Sequence, residues 1–398
     1  MTDVRAVVDL RELDRASDWE QERETTAVAL VGTYPPTACG LATFTSNLRG
    51  AIAGSGTTWT ANVVRVVDED VPEDSGDVIA HWVAGDRQSL LHAQRRLEQF
   101  DAVLLQHEYG LFGGEDGDEV LDLVSGLSVP LVAVLHTALL EPSTHQRHVL
   151  EHLIDAASLV VVQSEAARLR ILAVHGADPE QILVVPHGAA PNFSGPKLDD
   201  MPSPSVLTWG LLSPGKGIEH GIAAMARLAE RRRATSYIVA GQTHPKVLAL
   251  HGESYREALQ GRAQALGIPH MIHFDDRYRD WSSLRTLVRT ADAVLLPYDS
   301  VDQVSSGVLV EAVASGKPVV ATRFPHAEEL LADGAGILVR HGDVEGMAEA
   351  LERVLHEPGL APQMASAARV AAQPLLWPNV GEQYRSLISR VIGARAVA

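Results

Sequence analysis

Short apolar runs with β-branched content recur along the chain at 27–32, 63–67, 78–80, 102–106, 130–135, 159–163 and 182–185. Runs of this kind are what parallel strands buried on both faces require. Between them the apolar positions fall at helical spacing, at 41–51, 89–99, 119–125, 145–155 and 165–174, the last opened by Ser164, a good N-cap. A stretch at 189–204 has four prolines (Pro191, Pro196, Pro202 and Pro204) and no periodicity, as a linker has. The pattern then restarts, with strands expected at 205–209, 236–240, 270–274, 291–298, 317–322 and 336–339 and helices at 218–230, 254–266, 282–290, 308–315 and 344–355. No repeat of solenoid period is present. Strands alternating with helices through both halves predict an α/β chain of two doubly wound, Rossmann-like domains facing a central cleft.

The segment 291–322 is the most informative. It reads as strand, polar loop, helix and strand, with Leu309, Ala312 and Val313 on one helical face and Gly316 as the stop. The loop ends at a helix N-terminus, whose first amides lack intrahelical partners and favour an anion, most often phosphate. Glu311 stands one turn in. A carboxylate there can accept hydrogen bonds from ribose hydroxyls, as acidic residues do in dinucleotide sites.

Other strand ends carry candidate chemistry, and open α/β sheets bind ligands at such ends. After the first strand, Pro35 and Pro36 disfavour helix and Gly40 permits close approach of a ligand. The run from His107, Glu108 and Tyr109 to Gly114 is either a sugar-binding loop or a structural cap on its strand. His136 closes the strand at 130–135 and is expected to face the cleft. In the second half, Gly210 to Lys216 has the Gly-x4-Gly-Lys part of a P-loop. Gly217 follows where a P-loop has the Ser or Thr that binds Mg²⁺. Lys216 and the backbone of this turn can still hold a phosphate.

Charge narrows the partners. The chain has a net charge of −18, and residues 1–200 carry 31 Asp and Glu against 13 Lys and Arg, whereas 201–398 carry 20 of each. An acidic first half argues against nucleic acid and anionic lipid, both of which select basic patches. The 398 residues suffice for two cores. Residues 1–25 are acidic-rich and aperiodic, and are expected to be a frayed tail or a lone surface helix. One cysteine, Cys39, fits a reducing compartment. With no apolar leader and no run long enough to span a bilayer, a cytoplasmic protein without an integral membrane segment is expected. The sequence leaves the oligomeric state open.

At Lys216, Ser306–Gly307 and Glu311 the chain resembles the retaining glycosyltransferases of family 4, whose fold is GT-B. The resemblance covers about 26–390 and is strongest over 205–340, where Glu311-Ala-Val-Ala-Ser-Gly-Lys-Pro-Val-Val-Ala321 matches the family signature closely. It implies an acceptor-side domain at 26–195, completed by a terminal helix at 376–398 that crosses back near Trp377, and a donor-binding domain at 196–375. Glu311 would hold the nucleotide ribose, Lys216 would neutralise the diphosphate, and the backbone of Ser306, Gly307 and Val308 would receive the distal phosphate. Gly40 and Gly210 would lie against the phosphates, His136 near the sugar, and His107, Glu108 and Tyr109 on the acceptor side. Two positions depart from the pattern: Gln303 stands where the family has the first Glu of Glu-x7-Glu, and Leu211 where it has an arginine. Gln303 would then read the donor sugar through an amide, and Arg277 would compensate for Leu211.

The implied activity is transfer of a sugar from a nucleoside-diphosphate sugar to a hydroxyl acceptor with retention, without metal or other cofactor. His136, Lys216 and Glu311 would be the catalytic set. Another GT-B enzyme, such as a sugar phosphorylase or nucleotide-sugar epimerase, and a non-catalytic nucleotide-sugar-binding protein are the alternatives. The acceptor is expected to be neutral or amino-bearing.

Overall fold

The computed structural model describes residues 25–69, 71, 76–277, 279–301 and 303–397. All of the expected N-terminal tail except Thr25 lies outside the described residues. In the first half, Thr26–Gly32 (β1), Gly40–Ile52 (α1), Trp59–Val67 (β2), Val78–Val83 (β3), Arg87–Leu97 (α2) and Ala102–His107 (β4) follow in order. Glu119–Ser125 (α3), Leu131–Leu135 (β5), Thr144–Ala156 (α4), Leu159–Val162 (β6), Glu165–His175 (α5) and Ile182–Val184 (β7) complete it. The second half contains Ser205–Trp209 (β8), Ile218–Glu230 (α6), Ser236–Ala240 (β9), Pro245–His251 (α7), Ser254–Ala265 (α8), Ile272–Asp275 (β10) and Trp281–Thr290 (α9). Then come Ala293–Leu296 (β11), Gly307–Ala314 (α10), Val319–Thr322 (β12), Pro325–Leu330 (α11), Gly336–Val339 (β13), Val344–His356 (α12), Leu360–Ala371 (α13) and Trp377–Val397 (α14).

Among the described residues the strands form two sheets, ordered β3-β2-β1-β4-β5-β6-β7 and β10-β9-β8-β11-β12-β13. Every pairing in both is parallel. The central strands are apolar throughout because both faces are covered; Val28 to Val31 and Val294 to Leu296 are all fully buried. In each sheet the strand order reverses once, between β1 and β4 and between β8 and β11. Loops diverge at such a switch point and leave a crevice at the carboxyl ends of the strands.

The terminal helix α14 packs on the first half: Val380, Tyr384, Ile388 and Val391 share a core cluster with Val28, Leu30, Leu48 and Ile52. Arg385 donates to the carbonyls of Ala51 and Ile52 at 2.7 and 3.2 Å, satisfying the C-terminus of α1. Helices α7, α11 and α13 add to the expected set. The first has no buried residue, so no hydrophobic periodicity announces it; the His244 side chain caps it and Pro245 sits in its first turn.

Candidate active site in the interdomain cleft

The loops after β1, β4, β8 and β11 open onto one cavity of about 640 Å³ between the halves. From the first half it is lined by Gly40, Phe44, Glu108, His136, Gln163 and His187, and from the second by Trp209, Gly210, Lys216, Gly307, Val308 and Glu311, among others. This size and mixed lining are those of a small-molecule site.

Two helix N-termini, at Gly40 and Gly307, face the cavity. Cys39 caps α1, its sulfur accepting from the Ala42 amide at 3.3 Å. The Ser306 hydroxyl likewise accepts from the Leu309 amide at 3.2 Å at the start of α10. No hydrogen bond to the amides of Gly307 and Val308 is made among the described residues, and both residues line the cavity. Ser306 itself is spent on structure, because its own amide donates to the buried His326 ring nitrogen at 2.9 Å.

Lys216 approaches from the β8–α6 loop, with its ammonium 4.6 Å from the centre of the Tyr298 ring, a cation–π distance. The turn is fixed by Gly217, where a Cβ would meet the Pro297 carbonyl oxygen at 1.8 Å. The Asp299 amide, donating to the Gly215 carbonyl at 3.0 Å, holds it from the other side. Lys216 is therefore aimed at the cleft by packing. Among the described residues it makes no ion pair.

Glu311 lies in α10, and its carboxylate accepts from the Trp209 indole at 3.3 Å. Burial pushes its carboxyl up to about 7, and that single hydrogen bond only partly opposes the shift. The group has acceptor capacity to spare for further donors.

His136 is engaged on both ring nitrogens, by the Gln106 carbonyl oxygen at 2.8 Å and the Gln163 amide nitrogen at 3.0 Å. Those partners fit a ring protonated at Nε2. Burial first, then His187 and His107, push it down to about 3. Such a ring positions neighbours and does not shuttle protons at neutral pH. Phe44 packs edge-on against it, ring centres 4.9 Å apart, and lies as close to His187.

Ser306 is one correction to the expected site, and three more follow. His107 is fully buried against Tyr109 and Phe112, with neither ring nitrogen hydrogen-bonded, and burial pushes it down to about 4. Tyr109 is also in the core, with its hydroxyl reaching the Gln146 carbonyl at 3.4 Å. Of that trio only Glu108 lines the cavity, accepting from the Thr137 hydroxyl at 2.6 Å, and burial raises its carboxyl. Gln303 does not line the cavity either, because its amide donates to the Ser305 carbonyl. Arg277 does reach the wall. Both it and Arg279 are bound by Asp275, and Arg277 remains 71% exposed.

Gln163, His187, Trp209, Arg279 and Trp281 also lie on the cavity wall, where no motif marked them. His187 follows a strand end in Pro186-His-Gly188, and that placement was its signal. Its Nδ1 donates to the Gly188 carbonyl at 2.8 Å, and a Cβ on Gly307 would lie 2.9 Å from its Nε2. One His and carboxylate group close enough to share a cation, Glu115, Asp116 and His145, is not among the residues lining the cleft. No helix among the described residues is long and apolar enough to cross a membrane.

Residues 192–371, which supply Lys216, the Gly307–Val308 helix end and Glu311, match the family described as glycosyl transferases group 1. Over 308 residues the chain is 28% identical to the D-inositol 3-phosphate glycosyltransferase of Corynebacterium aurimucosum, covering 71% of this chain and 70% of that one. It is also 28% identical over 235 residues to the MMP alpha-(1->4)-mannosyltransferase of Mycolicibacterium hassiacum, covering 57% and 54% of the two chains. In fold it is similar to sucrose-phosphate synthase from Thermosynechococcus elongatus, with a TM-score of 0.75 at 19% identity over 93% of this chain and all of that one. Anabaena HepE, solved in complex with UDP and glucose, gives a TM-score of 0.71 at 17% identity over 92% of this chain and 100% of HepE. With two parallel-sheet α/β halves around one cleft, the chain has the GT-B fold of these solved structures, and its second half matches the glycosyl transferases group 1 family.

Proposed function

We propose that the chain moves a sugar from a nucleoside-diphosphate sugar to a hydroxyl acceptor with retention of anomeric configuration. The observation that carries this reading is the convergence of the Lys216 ammonium, the unpaired amides of Gly307 and Val308, and the Glu311 carboxylate on one cavity. A diphosphate and its ribose need a cation, backbone donors and an acceptor carboxylate in that arrangement. Among structural neighbours, HepE was solved with UDP, so a uridine diphosphate donor is the first to try.

In the transfer, the bond from the anomeric carbon to the leaving phosphate oxygen breaks as the acceptor hydroxyl attacks the same face. The hydroxyl proton passes to the leaving diphosphate. Negative charge grows on that diphosphate, and Lys216 with the α10 amides stabilises it where it develops. This provision is made by the chain itself, so the reading requires no metal. Glu311 holds the ribose and His136, neutral, orients the sugar. Gly40 and Gly210 let the backbone come close to the phosphates.

The acceptor reading rests on the opposite wall. Its described lining residues include the Glu108 carboxylate and no Lys or Arg, which suits a neutral or amino-bearing acceptor. The test is incubation with UDP-, GDP- and ADP-sugars and a panel of polyols, following diphosphate release and glycoside formation by mass spectrometry. Diphosphate and a glycosylated acceptor are expected together. A donor that binds tightly yet yields neither over long incubation would contradict the reading and leave a sugar-nucleotide-binding protein.

A further inference from the structure

The two halves meet at the cleft through a chain of side-chain hydrogen bonds that the proposed transfer does not by itself explain. Gln106 accepts from His136 Nε2 at 2.8 Å, and Gln163 donates to His136 Nδ1 at 3.0 Å. The Gln163 carbonyl oxygen accepts in turn from the hydroxyl of Ser305, in the donor loop. In this arrangement the Gln106 oxygen accepts at Nε2 and the Gln163 amide donates at Nδ1, which fits a ring protonated at Nε2. Gln163 is 3% exposed and reaches across the domain boundary, 142 residues from Ser305. The contact is reinforced on both sides. The Ser164 hydroxyl donates to the Val304 carbonyl at 2.6 Å, and Val304 is buried in the core cluster of the first half. The Glu329 carboxylate caps α5, accepting from the amides of Glu165 and Ala166 at 3.1 and 3.3 Å.

We propose that Gln163 is a positioning residue: it reads the seating of the donor loop through Ser305 and sets the tautomer and aim of His136. The inference rests on the glycosyl-transfer reading for its consequence, and on the hydrogen-bond chain alone for its mechanism. Ser305 immediately precedes the Ser306 cap of α10. A displaced loop therefore removes the serine donor, and Gln163 loses the contact that orients its amide. A 180° rotation of that amide would present its oxygen to His136 Nδ1 and demand a proton there.

Nitrogen-edited NMR of histidine-labelled protein reads the tautomer without any turnover, so failure of the relay and failure of the transfer reading are separate results. The wild-type His136 ring is expected as the Nε2–H tautomer throughout pH 5–9; the titratable groups acting on it are His187, which lines the cavity, and the buried His107. Gln163→Glu places a carboxylate between Ser305 and Nδ1 and is expected to move the proton to Nδ1 or charge the ring, adding an ionisation to the pH profile. Gln163→Leu is expected to release the ring and lower donor kcat/KM by about 10- to 100-fold, with affinity for free nucleotide changed by less than about threefold. Glu329→Gln, which weakens the same interface away from the ring, is expected to lower the melting temperature and leave the tautomer alone. An Nδ1–H ring in the wild type, or wild-type kcat/KM in Gln163→Leu, overturns the proposal. If that variant does not fold, the tautomer in the wild type and Gln163→Glu decides it.

Discussion

Glu311 offers a prediction with a magnitude. Its carboxyl is pushed from the ordinary 4.5 up to about 7 by burial, with one opposing hydrogen bond from Trp209. That displacement corresponds to about 3 kcal/mol held against the charged form. Two ribose hydroxyls donating to the carboxylate would each return about 1.5–3 kcal/mol, enough to bring the bound group back to its usual range. Nucleotide-sugar binding should therefore expel a proton at pH 6 and almost none at pH 8. With the free carboxyl protonated by about ten to one at pH 6, affinity should be about tenfold weaker there than at pH 8. The assay is titration calorimetry with UDP-glucose, GDP-mannose or ADP-glucose, whichever raises the melting temperature most, in two buffers of different ionisation enthalpy. A nucleotide sugar is the right probe because its diphosphate lacks the terminal ionisation near pH 6. Glu311→Gln should bind more weakly and lose the pH dependence. The unliganded enzyme gives the converse sign. A carboxyl whose folded value is raised favours the fold below about 4.5, and that contribution is lost as pH rises through about 7. Glu311→Gln should thus be more stable than wild type at pH 8, with the gain vanishing near pH 4.5. Equal affinity at pH 6 and 8 with no proton released, or the same pH dependence in Glu311→Gln, would refute the assignment.

Trp209→Phe removes the indole donor, so the Glu311 carboxyl should rise further and the midpoint of pH-dependent binding should move upward in the same titration; an unmoved midpoint would count against the contact. Gly188→Ala would place a Cβ 2.2 Å from the Trp377 ring, and it should destabilise the protein by about 1–3 kcal/mol in denaturant unfolding by displacing the start of α14. On the acceptor wall, a polyol should be glycosylated faster than its phosphate monoester, because the Glu108 carboxylate lines that wall; preference for the monoester in a direct competition would reverse that reading.

Much of the fold was legible because its strands are buried on both faces, as Val28 to Val31 show. The helix α10 was legible in the same way, since Leu309, Ala312 and Val313 form its buried face and Gly316 stops it at a φ of 61°. Helix α7 had no such pattern, because it buries nothing. Positions on the cavity wall were legible at strand and helix ends, as for Lys216, Gly307 and Glu311. The wall was misread at His107 and Tyr109, which flank Glu108: successive side chains leave the strand on opposite sides, and only Glu108 turns to the cleft. The Gln163–Ser305 contact joins residues 142 apart, and no local pattern in either segment announces its partner.

The central claim is that Lys216, with the α10 helix end, stabilises the charge developing on a leaving diphosphate. Single-turnover measurement of diphosphate release by Lys216→Ala tests it most directly. A fall of about 10²–10³ in the transfer rate is expected, with nucleotide-sugar affinity reduced far less. A Lys216→Ala enzyme that releases diphosphate at the wild-type rate would contradict it.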